Sequence, residues 1–422
     1  MKVEPAAMTA RFGSARQPEK KTDRAAPVRN THRAKKKLLY LAVCDPDLPV
    51  TGATVRTGAL VSQLARSYDV TLVNMAGSGH PVERAIEERF RDPDNRLGVV
   101  RRVRLEFSRM GYFLLSPTLY RQADMLFKSH SFDYLLADYG LAGVYGRLFA
   151  RRYGIPLIYS SHNVEYRMYL GLGQGDVRRV MLAPYIYWAE KAACRAAKLV
   201  VAISEHDRRV YSRWIPDERM EVIPQGFDPA VENPFYAAPP SSPAVILFVG
   251  SFGAEANRRA ARQIVHEIAP KVLRARPDTR FQLVGAQPPA DMHGTNCEMP
   301  GFVDDLGPYM RRANLVIAPM PIAHGMSTKI VSALAFGKTV LTTPEGLGAI
   351  PRHYKQLTVA ALDDFAAAII ELLATRPAVD AGEFPALCDA FAWAKLGTRL
   401  AQRIEQSCAR PDGAGDRQQP WR

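Results

Sequence analysis

Lys329 is the residue whose type and setting point most directly to chemistry. It lies in Pro321–Val340 (PIAHGMSTKIVSALAFGKTV), where Gly325 loosens the chain and Ser327 or Thr328 can cap a helix. The lysine then falls in that helix's first turn. Open first-turn amides beside one ammonium form a site for a diphosphate; the plainer alternative is a solvated surface lysine. Ser332 lies on the same helical face, three residues on. Ser160–Arg167 (SSHNVEYR) gathers His162, Asn163, Glu165 and Arg167 in one loop, so His162 is either a cleft residue or a structural histidine. Asp45–Gly58 (DPDLPVTGATVRTG) opens a helix at Gly52, where backbone can approach an anion and Arg56 can add a charge-assisted bond. Its Asp45-Pro46-Asp47 reads as a turn in preference to a metal-binding pair. Thr342–Ile350 (TTPEGLGAI) offers close backbone approach around Gly346, with Glu345 as its carboxylate.

The elements that must position these loops are short apolar runs alternating with helical patterns. Strands are expected at Lys37–Cys44, Asp69–Met75, Phe132–Ala137, Pro156–Ser160, Leu199–Ile203 and Met220–Ile223. A second series runs through Ala244–Gly250, Thr279–Gly285, Cys297–Val303, Asn314–Pro319 and Lys338–Thr342. Helices are expected between them, including Val177–Ala197, Asn257–Arg274 and Ser327–Phe336, and at the end in Trp393–Gln406. Such alternation predicts an α/β protein with two Rossmann-like domains, each a parallel sheet covered on both faces. The expected organisation is a disordered basic tail (1–36), a first domain (37–224), a Pro-rich linker (225–243) and a second domain (244–388). A helix that can pack back on the first domain (389–407) and a flexible tail (408–422) complete it. Ligands of open α/β sheets bind beyond the carboxyl ends of strands. That directs attention to the loops after Cys44, Ser160, Gly250, Gly285, Pro319 and Thr342.

Several classes are disfavoured. There is no GxGxxG after a strand, no GxxxxGK[ST], no GxSxG and no HExxH. The five cysteines (44, 194, 297, 388 and 408) are scattered, which suits reduced thiols and not a zinc site or disulfide framework. The net charge of +14 is concentrated in Met1–Lys37, which carries eleven basic and three acidic residues. No apolar run reaches the roughly 18 residues of a membrane span, and the basic N-terminus lacks an apolar signal core. A cytoplasmic protein is therefore expected. Arg101–Arg121 mixes arginines with Phe107, Tyr112, Phe113 and Tyr120: either an ordinary strand–helix surface or a peripheral contact with anionic membrane.

Together the motifs resemble the GT-B retaining glycosyltransferases of the large group 1 class (family 4), in the bacterial branch with an HNVE loop. The likeness spans about Lys37 to Glu405. It is carried by His162-Asn163-Val164-Glu165, by Val201–Glu205 followed by Val222–Asp228, by Phe248–Ser251, by Pro300–Asp305 and by Gly325–Val340. The resemblance implies sugar transfer from a nucleotide-diphosphate donor held mainly by the second domain, to an acceptor on the first. It implies no cofactor and no metal, because helix termini and cations stabilise the departing diphosphate. Gly52 and Ala53 fall near the phosphates, His162 in the donor-side cleft, and Lys329 at the diphosphate as the second catalytic residue. Gly250, Gly285, Gly325, Ser327, Ser332, Glu345 and Gly346 complete the donor site, with Gly301–Asp305 near the base.

The sequence departs from that pattern at Ser332, where the family carries the glutamate that holds the ribose diol. Ser327 stands where arginine is frequent, Gly348 where a loop glutamate is expected, and Arg258 and Arg259 lie near a basic position beyond Gly250. The implied partners are a nucleotide-sugar and a glycan or lipid-linked acceptor, in bacterial polysaccharide biosynthesis. Nucleic acid is not an expected partner, although the basic tail alone would suit one. The departure at Ser332 keeps a non-catalytic GT-B-like scaffold subunit as the alternative.

Overall fold

The structure is a computed structural model that describes residues 35–43, 51–74, 87–90, 100–104, 117–172, 177–234, 241–321, 326–375 and 381–408. The basic tail up to residue 34, Cys44–Asp47, residues 105–116 of the basic–aromatic stretch, linker residues 235–240, Gly325 and the last fourteen residues lie outside these. Lys35 onward belongs to one compact unit.

Among the described residues, fourteen strands form two sheets. The first sheet comprises β1 (Lys37–Ala42), β2 (Asp69–Asn74), β3 (Glu87–Phe90), β4 (Val100–Arg104), β5 (Tyr134–Asp138), β6 (Leu157–Ser160), β7 (Leu199–Ala202) and β8 (Met220–Val222). Their order is β3-β4-β2-β1-β5-β6-β7-β8. Every neighbouring pair is parallel except β3 with β4. The second sheet comprises β9 (Val245–Val249), β10 (Arg280–Val284), β11 (Cys297–Gly301), β12 (Leu315–Ala318), β13 (Val340–Thr342) and β14 (Leu357–Val359). It is parallel throughout, in the order β11-β10-β9-β12-β13-β14. These are two Rossmann-like domains. Central strands such as β1, β5 and β7 are apolar runs because helices bury both faces.

The structure differs from the sequence expectation in places. β3 and β4 (EERF and VRRVR) carry too few apolar residues to read as buried runs; they sit at a sheet edge. The expected helix Asn257–Arg274 is helical throughout from Glu255 to Ala275, but Ile264–Ile268 within it is a π-helical turn. Glu165–Leu172 and Pro344–Leu347, read as loops, are helical. Tyr120 stacks on Phe149 at 5.3 Å, so it packs against the core of the first domain.

The helix Trp393–Cys408 returns to the first sheet. Trp393, Leu396, Leu400, Ile404 and Cys408 recur at helical spacing and join the core formed by β1, β2 and the helix Gly52–Leu64. The crossing is so close that a Cβ on Gly397 would lie 2.3 Å from Gln63 Cβ. Two passages of chain between the domains are stitched side by side: Phe227 N–H donates to Phe391 O, and Trp393 N–H to Phe227 O, both at 3.0 Å. The far end of the helix is tied by Lys36 to Glu405 and by Tyr68 Oη to Ala401 O.

The last helix is therefore part of the first domain's core. Leu400→Ala, at a site with no exposure, should cost about 2–5 kcal/mol. Urea unfolding monitored by circular dichroism measures it; a loss under about 0.5 kcal/mol would contradict this packing.

Candidate active site

Two helix N-termini meet between the domains. The helix Gly52–Leu64 starts at Thr51, whose side chain accepts from Thr54 N–H in a reciprocal capping box. The helix Thr328–Ala335 starts after Ser327, which occupies the N-cap position but makes no side-chain cap bond. Ser327 therefore does not cap, as its type suggested it could, and the first-turn amides of Thr328 and Lys329 have no intrahelical acceptor. A Cβ built on Gly52 would lie 2.7 Å from Thr328 Oγ1. The positive ends of both helices thus converge, with half-buried Ala53 beside them.

Lys329 brings a side-chain amine to the same place. Its Nζ donates to Asn257 Oδ1 at 2.8 Å and lies 4.5 Å from the ring centre of Phe248, near the carboxyl end of β9. Among the described residues no carboxylate pairs with it. Burial pushes its pKa down to about 7. An ammonium held by a neutral amide and an aromatic face is short of negative charge, and an anion would supply it.

The glycines Gly250 and Gly285 clear the adjoining floor. A Cβ on Gly285 would sit 2.0 Å from Gly250 O, and one on Gly250 2.7 Å from Asn257 Cγ. Both amides are already spent, Gly250 N–H on Val284 O and Gly285 N–H on Gly301 O. What the structure shows for both is close backbone packing.

Ser332 is one turn beyond Lys329, and its hydroxyl donates to Glu232 Oε1. Glu232 comes from the stretch following Phe227 and also accepts from Asp228 N–H at 3.2 Å. Burial raises its pKa, while the Ser332 bond opposes that rise. The helix lacks its own acid here, but a carboxylate stands beside Ser332 all the same.

On the first domain, His162 Nε2 donates to Asp138 Oδ1 at 2.9 Å, and Thr57 Oγ1 to Asp138 Oδ2 at 2.7 Å. All three residues are buried. The edge of the Tyr139 ring meets the imidazole at 5.4 Å between centres. Burial by itself would raise the Asp138 pKa, but His162, Thr57 and Arg56 hold it down at about 2. His162 is thus oriented by a fixed anion.

Arg56 turns inward. It is fully buried and donates through Nη1 to Pro224 O at 2.9 Å. It therefore braces the chain leaving the first domain, and its charge helps keep the Asp138 carboxylate ionised.

Glu345 is exposed on the short helix Pro344–Leu347, and Gly346 N–H donates to the capping Thr343 hydroxyl at 3.1 Å. Gly346 is therefore not free to present its amide to a ligand. Arg258 and Arg259 are both engaged by Glu255, at 2.7 and 3.0 Å. Asn163 is half-buried, and Arg167 Nη1 lies 3.2 Å from His206 Nε2. Gly325 lies outside the described residues. Among those residues no group of three or more His, Cys, Asp or Glu could hold a metal ion.

Sequence reasoning missed Asp138, Asn257 and Glu232. Asp138 ends β5, so the carboxyl-end rule could have found it. Asn257 heads the helical pattern after Gly250. Glu232 carries no local signal, being one hundred residues from Ser332.

Residues 50–231 match the profile of Glycosyltransferase Family 4, and residues 243–375 that of Glycosyl transferases group 1. No curated protein matches the chain significantly. Among solved structures, sucrose-phosphate synthase from Thermosynechococcus elongatus is similar with a TM-score of 0.69 at 17% identity, covering 88% of this chain and 99% of that one. Anabaena HepE in complex with UDP and glucose gives 0.62 at 17% over 88% and 99%. WaaG, a glycosyltransferase involved in lipopolysaccharide biosynthesis, gives 0.59 at 15% over 89% and 100%.

The Asp138 cluster carries a pH signature. Its folded pKa lies below the unfolded value, so its stabilisation is full above about pH 4 and fades toward pH 2. The stability gap between wild type and Asp138→Asn should shrink by about 2 kcal/mol between pH 5 and pH 2. Denaturant titrations at stepped pH measure it, and a gap independent of pH would contradict the ionised carboxylate.

Proposed function

This chain belongs to the group 1 glycosyltransferases with a GT-B fold, and from that premise we propose that it transfers a glycosyl group, with retention, from a nucleotide-diphosphate sugar to a glycan or lipid-linked acceptor in bacterial polysaccharide biosynthesis. The observation that carries this reading is the unpaired Lys329 ammonium beside two converging helix N-termini. A departing diphosphate develops negative charge, and amides and an ammonium already in place stabilise it without reorganisation. Lys329 is assigned to that oxygen cluster and Gly52 and Ala53 to its approach from the first domain. His162, with Nε2 committed to Asp138, is assigned to position the transferred sugar and not to act as a general base.

Glu232 is assigned to the nucleotide. A carboxylate accepts from a ribose diol more strongly than a serine hydroxyl, and Glu232 lies where Ser332 leaves that function open. This weighs against the scaffold reading, whose motive is Ser332. UDP is the first nucleotide to test, since HepE was solved with UDP and glucose. A cytoplasmic, membrane-peripheral location also belongs to the proposal. No helix among the described residues is long and apolar enough to cross a membrane.

A melting-shift panel of UDP, GDP and ADP tests the reading. One of them should stabilise the folded protein, and no response to any would contradict it. Lys329→Ala should reduce the shift without abolishing it, since the helix amides remain. Glu232→Gln should weaken nucleotide affinity roughly ten- to a hundredfold, the effect of losing a charged acceptor worth about 1.5–3 kcal/mol. Ser332→Glu should weaken binding too, because it sets a second carboxylate against Glu232. Tighter binding by that variant would support a decayed site and remove Glu232 from the account.

A further inference from the structure

Five of the eight large apolar side chains exposed among the described residues cluster on two helices of the first domain. Leu170 lies on Glu165–Leu172; Val180, Met181, Tyr185 and Trp188 lie on Val177–Ala196. Met181 is 74% exposed and Trp188 64%. Met181, Tyr185, Trp188, Ala192 and Arg195 follow helical spacing, so they share one stripe. The stripe is apolar at one end and basic at the other. There a groove is lined by Trp188, Lys191, Arg195 and, from the helix Gly140–Tyr153, Arg147. Lys191 Nζ lies 5.2 Å from the indole centre of Trp188.

The distribution of charge is one-sided. The helix Gly140–Tyr153 contains no acidic residue, and Glu165 and Glu190 are the only acids of the other two. Both are turned inward and buried, and burial raises the pKa of each, that of Glu190 to about 7. Among the described residues no carboxylate pairs with Arg147, Lys191 or Arg195.

We propose that this face, an apolar ridge ending in Trp188 with Arg147, Lys191 and Arg195 behind it, docks the first domain on an anionic lipid bilayer. The inference rests on the membrane-peripheral part of the proposed function and gives it a surface, built from residues other than those of Arg101–Arg121. Bilayer is preferred to protein as the occupant because the chemistry matches a headgroup layer. Indole and phenol rings sit at the boundary of hydrocarbon and water, methionine and valine enter below them, and cations meet lipid phosphates. Attachment should weaken with salt, since unpaired surface cations are screened.

Flotation of the full chain with vesicles of phosphatidylcholine alone, or with 30% phosphatidylglycerol, tests this. Binding is expected only to the anionic vesicles and should fall severalfold as salt rises from about 50 to 300 mM. Met181→Ser/Trp188→Ser should reduce it at least tenfold, although the basic tail remains. Arg147→Ala/Lys191→Ala/Arg195→Ala should remove it. Both variants should keep the wild-type melting temperature and nucleotide shift. Loss of lipid binding with the nucleotide shift intact is thus separable from failure of the donor reading. Undiminished flotation of the variants would assign lipid binding to the tail and overturn the proposal. So would absence of flotation accompanied by a dimer in light scattering that the Met181→Ser/Trp188→Ser variant dissolves, which would mark the face as an interface between copies.

Discussion

A cation without a counter-charge governs the crevice. Lys329 is held by an amide oxygen and an aromatic face, where burial depresses its pKa. Such a group is costly unless something negative joins it. The first turns on either side aim unspent amides at the same place. Everything else serves that arrangement: the second sheet presents the lysine's helix, Gly250 and Gly285 let two strand ends close beneath it, and the first sheet brings Gly52 against Thr328.

The two domains keep that geometry because the chain between them is braced. Arg56 grips Pro224 O from within the first core, Phe227 exchanges backbone bonds with Phe391 and Trp393, and the last helix returns to the first sheet. The buried Asp138 fixes His162 on one wall while Glu232 reaches Ser332 on the other. Positioning by packed sheets and hydrogen-bonded side chains gives the site its definition.

Much of the fold was legible because parallel strands buried on both faces must be apolar runs. Leu38–Ala42, Leu199–Ala202 and Val245–Val249 announce themselves in this way. The edge strands β3 and β4 do not, since their composition is largely charged. The Lys329 setting was legible from helix-start chemistry, though Ser327 leaves its helix uncapped. Asp138 was recoverable from its place at a strand's carboxyl end. Glu232 was not, since nothing in Asp228–Asn233 indicates which helix it will meet, and a missing acid at Ser332 can be read from sequence only as a loss. Nor does helical periodicity tell a core stripe from the exposed one at Met181–Trp188; only the packing of the neighbouring helices decides that.

Calorimetry of UDP binding at pH 7 in buffers of different ionisation enthalpy tests the central claim directly. A lysine whose pKa lies near 7 in the free protein is about half protonated there, and a bound diphosphate holds it fully charged. Binding should therefore take up a fraction of a proton more in the wild-type protein than in Lys329→Ala. The same proton uptake in the wild-type protein and in the variant would contradict the account.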